Sequence, residues 1–188
     1  YEVDLVADID AGMDKLVDPE QLIGNEVTIA VQISGDEHHR YIHGIVKSLV
    51  EGGTHARFRE YRAEVVPWFD LLKMSSTCRF FQDKSVPEII EQVFKDLGFR
   101  AYKLDLRSSY RAIDYCAQYR ETDFDFVSRL MEQEGIFYYF DHTDEAHTMV
   151  LTDSKSAYVE LPFAPKARYT RFGGVEEDED IVMAWEKR

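Results

Sequence analysis

An α+β fold dominated by antiparallel strands is predicted by three features of this 188-residue sequence. Its first third is built of long alternating runs rich in branched residues, over 26–33, 41–46 and 55–66. Its middle carries two apolar-faced helices with start and stop signals at both ends, over 85–98 and 122–135. Aromatic residues make up 13% of the chain, with 12 Phe and 11 Tyr, a composition that suits β-rich packing. The expected architecture is a strand-rich, barrel-like module over 1–66, completed by 166–188, with an α+β module inserted over 67–165.

The elements follow in order. Residues 1–7 alternate as a strand, and 26–33 and 41–46 form the next two, joined by a hairpin through Gly35, Asp36, Glu37, His38 and His39. Gly52-Gly53-Thr54 is expected to link them to a strand over 55–66, with Phe58 facing away from Arg57 and Arg59. The result is an antiparallel meander with one wet face. At Pro67-Trp68 the pattern changes. Ser85 and Glu88 stand at capping-box spacing, Pro87 sits in the first turn, and Ile89, Ile90, Val93, Phe94 and Leu97 give an apolar stripe that Gly98 ends. Strands are expected over 102–106 and 113–119, around a turn at Ser108-Ser109. In the second helix Thr122 is the N-cap, Asp123 and Asp125 place negative charge in the first turn, and Gly135 supplies the left-handed stop. Phe124, Phe126, Val127, Leu130 and Met131 form its buried side, and a buried aromatic strand, 136–141, comes next and pairs with 147–152. Beyond Pro162 and Pro165 the pattern weakens into a short alternating piece at 168–172, an acidic loop at 176–180 and a strand at 181–187.

Composition narrows the function. Thirty-six acidic residues against 22 Lys and Arg give a formal charge of −14, which opposes nucleic acid and anionic membrane surfaces. No apolar run approaches the roughly 18–20 residues that span a bilayer, and no signal-peptide pattern is visible. Two cysteines do not make a disulfide scaffold, so synthesis in a reducing, cytoplasmic setting is expected. Both ends fall within strand-like sequence, as expected of a piece of a longer polypeptide.

The candidate chemistries are weak. His38-His39-x-x-x-His43 offers three nitrogens for zinc, but successive side chains of a strand point to opposite faces, so a solvated turn is the better reading. His142 and His147 flank a hairpin turn and read as a cross-strand pair without a function. Cys116 lies in an apolar strand as an inert thiol, and Cys78 has only Arg79 beside it, where a Cys–His nucleophile needs a base and an orienting group. Glu132 and Glu134 are two apart on a helix and diverge, and Asp123 and Asp125 are explained by the helix start, so no acid pair for glycoside hydrolysis emerges. Gly52-Gly53 and Gly173-Gly174 are turn doublets, not a phosphate loop. Phe137-Tyr138-Tyr139-Phe140 has no interleaved Lys or Arg for base stacking and reads as core. No residue is assigned a catalytic, cofactor-binding or metal-ligating role, and no cofactor is expected.

The run from Tyr119 to Phe140, YRETDFDFVSRLMEQEGIFYYF, resembles the signature of the VgrG family, spike proteins of the type VI secretion system, and equally the late-control D hub proteins of contractile phage tails. Val66-Pro67-Trp68-Phe69-Asp70-Leu71-Leu72, the stretch from Cys78 to Ile90, Asp114-Tyr115-Cys116-Ala117-Gln118-Tyr119 and Ile181-Val182-Met183-Ala184-Trp185 stand in the same order as in that family. Val66 departs from it, standing where a basic residue is expected before the Pro-Trp pair. The resemblance implies a phage-tail-hub-like fold and a structural, non-enzymatic role. It implies a homotrimeric hollow base that joins the Hcp tube to a puncturing needle, with downstream needle and possible effector domains, assembled in the cytoplasm and delivered outside by the apparatus. The rival readings are a peptidoglycan hydrolase module of a phage-like spike and a free-standing binding module for carbohydrate or metal.

Overall fold

The computed structural model describes residues 1–8, 17–32, 39–158, 168–169 and 181–182. Its first sheet joins β1 (Glu2–Asp8), β2 (Glu26–Gln32), β3 (His39–His55) and β4 (Phe58–Val66) in the order β1-β4-β3-β2, every pair antiparallel. A short helix, α1 (Pro19–Leu22), precedes β2, with Asp18 as its N-cap accepting from the Glu20 N–H at 3.0 Å and Pro19 in its first turn. That Asp-Pro pair is a start signal the sequence reading passed over.

Two boundaries in this sheet depart from expectation. β3 does not stop near Val46 but runs 17 residues, and its register with β4 shifts between Val46 and Ser48 and again between Glu51 and Thr54. Bulges of this kind add a residue and bend the strand, so the Gly52-Gly53 pair is absorbed into it instead of ending it. Gly52 suits that position because a Cβ there would come within 3.3 Å of Glu60 on β4. The chain reverses instead at Ala56-Arg57, with Ala56 in the left-handed region at φ 53°, and β4 starts at Phe58. Alternation from there buries Tyr61, Ala63 and Val65, and Val46, Ala63 and Val65 form a small core against Val3, Leu5 and Leu49.

A larger core lies beyond β4. Pro67 leads into a 3-10 segment, Trp68–Met74, then β5 (Ser76–Phe81), α2 (Val86–Asp96), β6 (Tyr102–Asp105), β7 (Cys116–Thr122), α3 (Asp123–Glu134), β8 (Phe137–His142) and β9 (His147–Thr152). The 3-10 segment and β5 are additions to the predicted elements. The Ile113 strand start is corrected to Cys116, because Ile113 makes only an isolated bridge to Lys84. β5 pairs antiparallel with β7, while β9 lies between β8, antiparallel, and β6, parallel. Both helix starts form as the spacing predicts: the Glu88 carboxylate accepts from the Ser85 N–H at 2.8 Å, and Thr122 Oγ1 accepts from the Asp125 N–H at 3.0 Å. Gly135 closes α3 at φ 71°. Ile89, Ile90, Val93 and Phe94 of α2 and Phe126, Val127 and Leu130 of α3 are sealed from solvent, each such side chain contributing on the order of 1.5–3 kcal/mol of burial.

The expected burial of the aromatic strand is corrected. β8 is an outer strand, with Phe137, Tyr139 and Phe140 half-buried and Tyr138 exposed, whereas central β9 is buried from Met149 to Thr152. A strand's place in its sheet, more than its hydrophobicity, decided this. The idea that 166–188 completes the first module falls mostly outside the described residues; within them, β10 (Arg168–Tyr169) pairs in parallel with β11 (Ile181–Val182).

The closeness of β3 and β4 yields a test. A Cβ on Gly44 would lie 2.6 Å from Val65 Cγ1 and 2.9 Å from the Val66 carbonyl oxygen, whereas one on Gly53 meets nothing within 4 Å. Gly44→Ala is therefore expected to destabilise the chain by about 1–3 kcal/mol in urea melts, and Gly53→Ala to leave the midpoint nearly unchanged.

Candidate functional site

The residues weighed for chemistry are scattered by the fold. His38 lies outside the described residues, and His39 is exposed on β3, its ring stacked on Tyr41 at 6.2 Å. His43, four positions further along β3, is buried against His147 and not beside His39, so the described part of the histidine trio does not converge. Cys78 is exposed on β5; Cys116 is buried on β7, and burial pushes its thiol pKa up. Glu132 and Glu134 are exposed near the end of α3. Asp125 is exposed and caps its own helix through Thr122, at 2.7 Å between the hydroxyl and its carboxylate. Among the described residues no group of three or more His, Cys, Asp and Glu side chains is arranged to hold a metal.

Asp123 is the first residue whose place the sequence reading missed. It is fully buried, and its carboxylate ties several elements together. Ser75 Oγ donates to it at 2.5 Å, Thr77 Oγ1 at 3.2 Å, Gln118 Nε2 at 2.8 Å and the Arg79 guanidinium at 2.5 Å. Arg79 also donates to Gln118 Oε1 at 2.7 Å. Burial alone would raise the Asp123 pKa, but the hydrogen bonds from Ser75 and Gln118 and the charge of Arg79 overcome it and hold the carboxyl below its usual range. With four donors on one carboxylate, this is a joint and not a reactive acid. A lone Asp at a helix start carries no signal for this role. The available signal was Gln118, a polar residue at an inward position of the strand that begins at Cys116.

A second buried joint lies where the two sheets meet. His142 and His147 are register partners across the β8–β9 turn, and they reach His43 on β3. The His43 N–H donates to His142 Nδ1 at 3.1 Å, Nδ1 of His43 and Nδ1 of His147 are 2.8 Å apart, and the Trp68 N–H donates to His147 Nε2 at 2.9 Å. The cross-strand pair read from sequence as functionless thus ties the β8–β9 hairpin to β3 and to Trp68.

What the surface offers is sheet margin. β1 and β2 are the outer strands of the first sheet, with Val6 and Val31 exposed on them. The outer face of β5 and β7 shows Phe80 stacked on Tyr115 at 5.8 Å, Cys78, and Tyr119 under the Arg120 guanidinium at 5.1 Å. An open groove of about 550 Å³ crosses β1, β4 and β3, lined by Asp4, Leu5, Val6, Val50, Tyr61 and Arg62 among others. Within it Arg62 Nε is paired with Asp4 at 2.7 Å. Such a surface can accept strands or faces of other chains.

The comparisons with known proteins agree with that character. The phage tail baseplate hub (GPD) family matches residues 1–188. The chain is similar to the type VI secretion system spike proteins VgrG1c and VgrG1a of Pseudomonas aeruginosa, 45% identical over 152 residues, 78% of this chain and 21% and 24% of those proteins. It therefore spans about a quarter or less of these relatives' lengths. Its fold is similar to that of the E. coli c3393 protein, a type VI secretion component described as similar to the T4 tail proteins gp27 and gp5, with a TM-score of 0.75 and 23% identity over 87% of this chain and 45% of that one. A prophage tail protein from Shewanella oneidensis matches with a TM-score of 0.54, 13% identity, and coverage of 90% of this chain and 47% of its own.

Two outcomes are expected of the buried groups. Asp123→Asn removes the charge that Arg79 answers and is expected to cost about 2–3 kcal/mol at pH 7. Because the folded Asp123 pKa lies below the unfolded value of about 3.9, its contribution is present above that pH and is lost as pH falls through the folded value. The variant's stability should then fall less steeply than the parent's below about pH 4, read from urea midpoints against pH. In the folded chain a maleimide should modify Cys78 rapidly and Cys116 only after denaturation, as mass spectrometry of the labelled peptides would show.

Proposed function

Because the chain belongs to the phage tail baseplate hub (GPD) family, we propose that it forms the hub-like base of a type VI secretion spike. In this reading it is a structural, non-enzymatic part of a homotrimer that joins the Hcp tube to the puncturing needle. The single observation that carries the reading is the 45% identity over 152 residues to proteins named as type VI spikes, sustained across 78% of the chain. The structure supports it in kind: strand margins and an aromatic sheet face are exposed, and the buried side chains of His43, Gln118, Asp123 and His147 are hydrogen-bonded. Mechanically, the role is to hold a threefold needle on a tube by rigid interfaces, on the order of 2,000 Å² or more for an obligate assembly.

The module division belongs to this proposal. Residues 1–66, completed by 166–188, make the barrel-like part, and 67–165 make the α+β insertion. Assembly takes place in the cytoplasm, and the apparatus carries the protein out with its downstream needle and any effector domain. No helix among the described residues is long and apolar enough to cross a membrane.

The test is the mass in solution of a polypeptide that extends this chain through its downstream needle. A threefold mass, and capture of purified Hcp tube protein by the assembled trimer, are expected. A stable monomer at micromolar concentration would overturn the assembly reading. Peptidoglycan incubated with the same preparation should release no fragments; release that disappears in Glu132→Gln or Glu134→Gln would establish the hydrolase instead.

A further inference from the structure

The histidine joint between the sheets has a property that goes beyond a hub's role: its hydrogen bonds fix the proton on each ring. His142 Nδ1 accepts from the His43 N–H, so His142 carries its proton on Nε2. His147 Nε2 accepts from the Trp68 N–H, so His147 carries its proton on Nδ1. That Nδ1–H faces Nδ1 of His43 at 2.8 Å, so His147 donates, His43 accepts, and the His43 proton sits on Nε2. Every unprotonated ring nitrogen is therefore already an acceptor inside the joint. A proton added to His142 sets Nδ1–H against the His43 N–H; one added to His147 sets Nε2–H against the Trp68 N–H.

We infer that His43, His142 and His147 form an acid-released latch, fastening the β8–β9 hairpin to β3 and to the Trp68 main chain and opening when His142 or His147 takes a proton. The elements around it offer little to hold a cation. Arg40 from β3 opposes charge on His142, and Asp141 from β8 favours it. The Tyr1 ring ahead of β1 lies edge-on to His142 at 6.4 Å, and the Phe140 ring of β8 lies 5.7 Å from His147. From the 3-10 segment the contact is the Trp68 N–H. His147 faces His43 and His142, both of which oppose its charging.

The sign comes from linkage. Burial, with His43 and His142 adding to it, lowers the His147 pKa to about 4, and burial also lowers that of His142. An opened histidine takes its proton near the free value of about 6.5. The open form thus binds more protons between these limits, and the latch weakens as pH falls through that window, by up to about tenfold per pH unit for each proton taken up. Above the window it is fully engaged. The buried aliphatic contacts between α2 and α3 involve none of these groups, so the opening is local.

Ring-nitrogen NMR on the full 188-residue chain tests this, with amide exchange corrected for intrinsic pH dependence. At pH 7.5 the expected tautomers are Nδ1–H on His147 and Nε2–H on His43 and His142. Between about pH 6 and 4.5 the amides of His43 and Trp68 should lose protection together, about tenfold per unit, while those of Val93 and Leu130 hold. His147→Gln places Oε1 where Nε2 accepts from Trp68 but does not titrate, and should flatten the response of the Trp68 amide. If that variant does not fold, His142→Asn, with Oδ1 in place of Nδ1, should flatten that of His43. Other tautomers, rings that protonate near 6.5 with both amides unmoved, an unchanged response in the folded variant, or loss of helix protection in step would each overturn the latch. The hub reading would stand in every case, since it is judged by assembly mass.

Discussion

Trp68 is gripped from several sides at once, and both cores take their position from it. Its main-chain N–H is bound by His147 on β9, and its indole N–H donates to the Ala101 carbonyl at 3.2 Å. Its ring stacks on Phe99 at 4.7 Å and meets Phe94 of α2 edge-on at 5.0 Å. It stands two residues after β4, where the four-stranded sheet ends and the helical core begins. Fixing one residue there fixes the angle at which the second core leaves the first sheet, and Ile45 of β3, packed against that second core, seals the junction. The Pro67-Trp68 pair that stood out in the sequence is thus the hinge pin of the architecture.

The polar groups around this frame share a logic. Asp123, Gln118, His43 and His147 are each buried, and each is hydrogen-bonded to neighbours from other elements. A buried acid or imidazole in an enzyme is poised between protonation states by an environment that leaves some capacity unspent. Here the capacity is spent on position. The same holds of Asp153, a half-buried residue whose carboxylate accepts from the Arg107 and Ser108 N–H groups at 2.8 and 2.7 Å and from the Tyr110 hydroxyl at 2.9 Å. Those bonds hold its pKa well below the usual carboxylate range, and burial together with Asp153 pushes that of Tyr110 up to about 12. Directional bonds of this sort specify one arrangement more sharply than apolar contact does, which is what a rigid part requires.

Local chemistry was legible in the sequence where it determines structure locally. Both long helices were readable because Ser85, Glu88, Thr122 and Gly135 act on backbone groups within a few residues of themselves. The β3–β4 reversal was not, because a bulge lets Gly52-Gly53 lie inside a strand while Ala56 takes the left-handed turn that glycine usually takes. β8 and β9 were recognised as a hairpin, yet which of them is central depends on β6 arriving in parallel from far earlier in the chain. The joints were least visible of all. Asp123 meets Arg79 across 44 positions and His43 meets His147 across 104, distances at which spacing in the sequence carries no information.

Charge restricts how such a part can be assembled. With a formal charge of −14, copies of the chain repel one another at long range. Much of the scarce positive charge is committed within the chain: Arg62 to Asp4, Arg59 to Glu51, Arg57 to Asp8, Arg129 to Glu121 and Lys47 to Asp70. Exposed pairs of this kind add only about 0–1 kcal/mol each to stability, but they remove cations that would otherwise cross-link acidic copies. In the proposed homotrimer, contact between copies would draw on neutral groups, among them the main-chain sheet margins and the exposed Phe80, Tyr115 and Tyr119. In that proposed assembly, repulsion elsewhere would disfavour misaligned pairings, so the acidity that opposes association in general would restrict it to a few geometries.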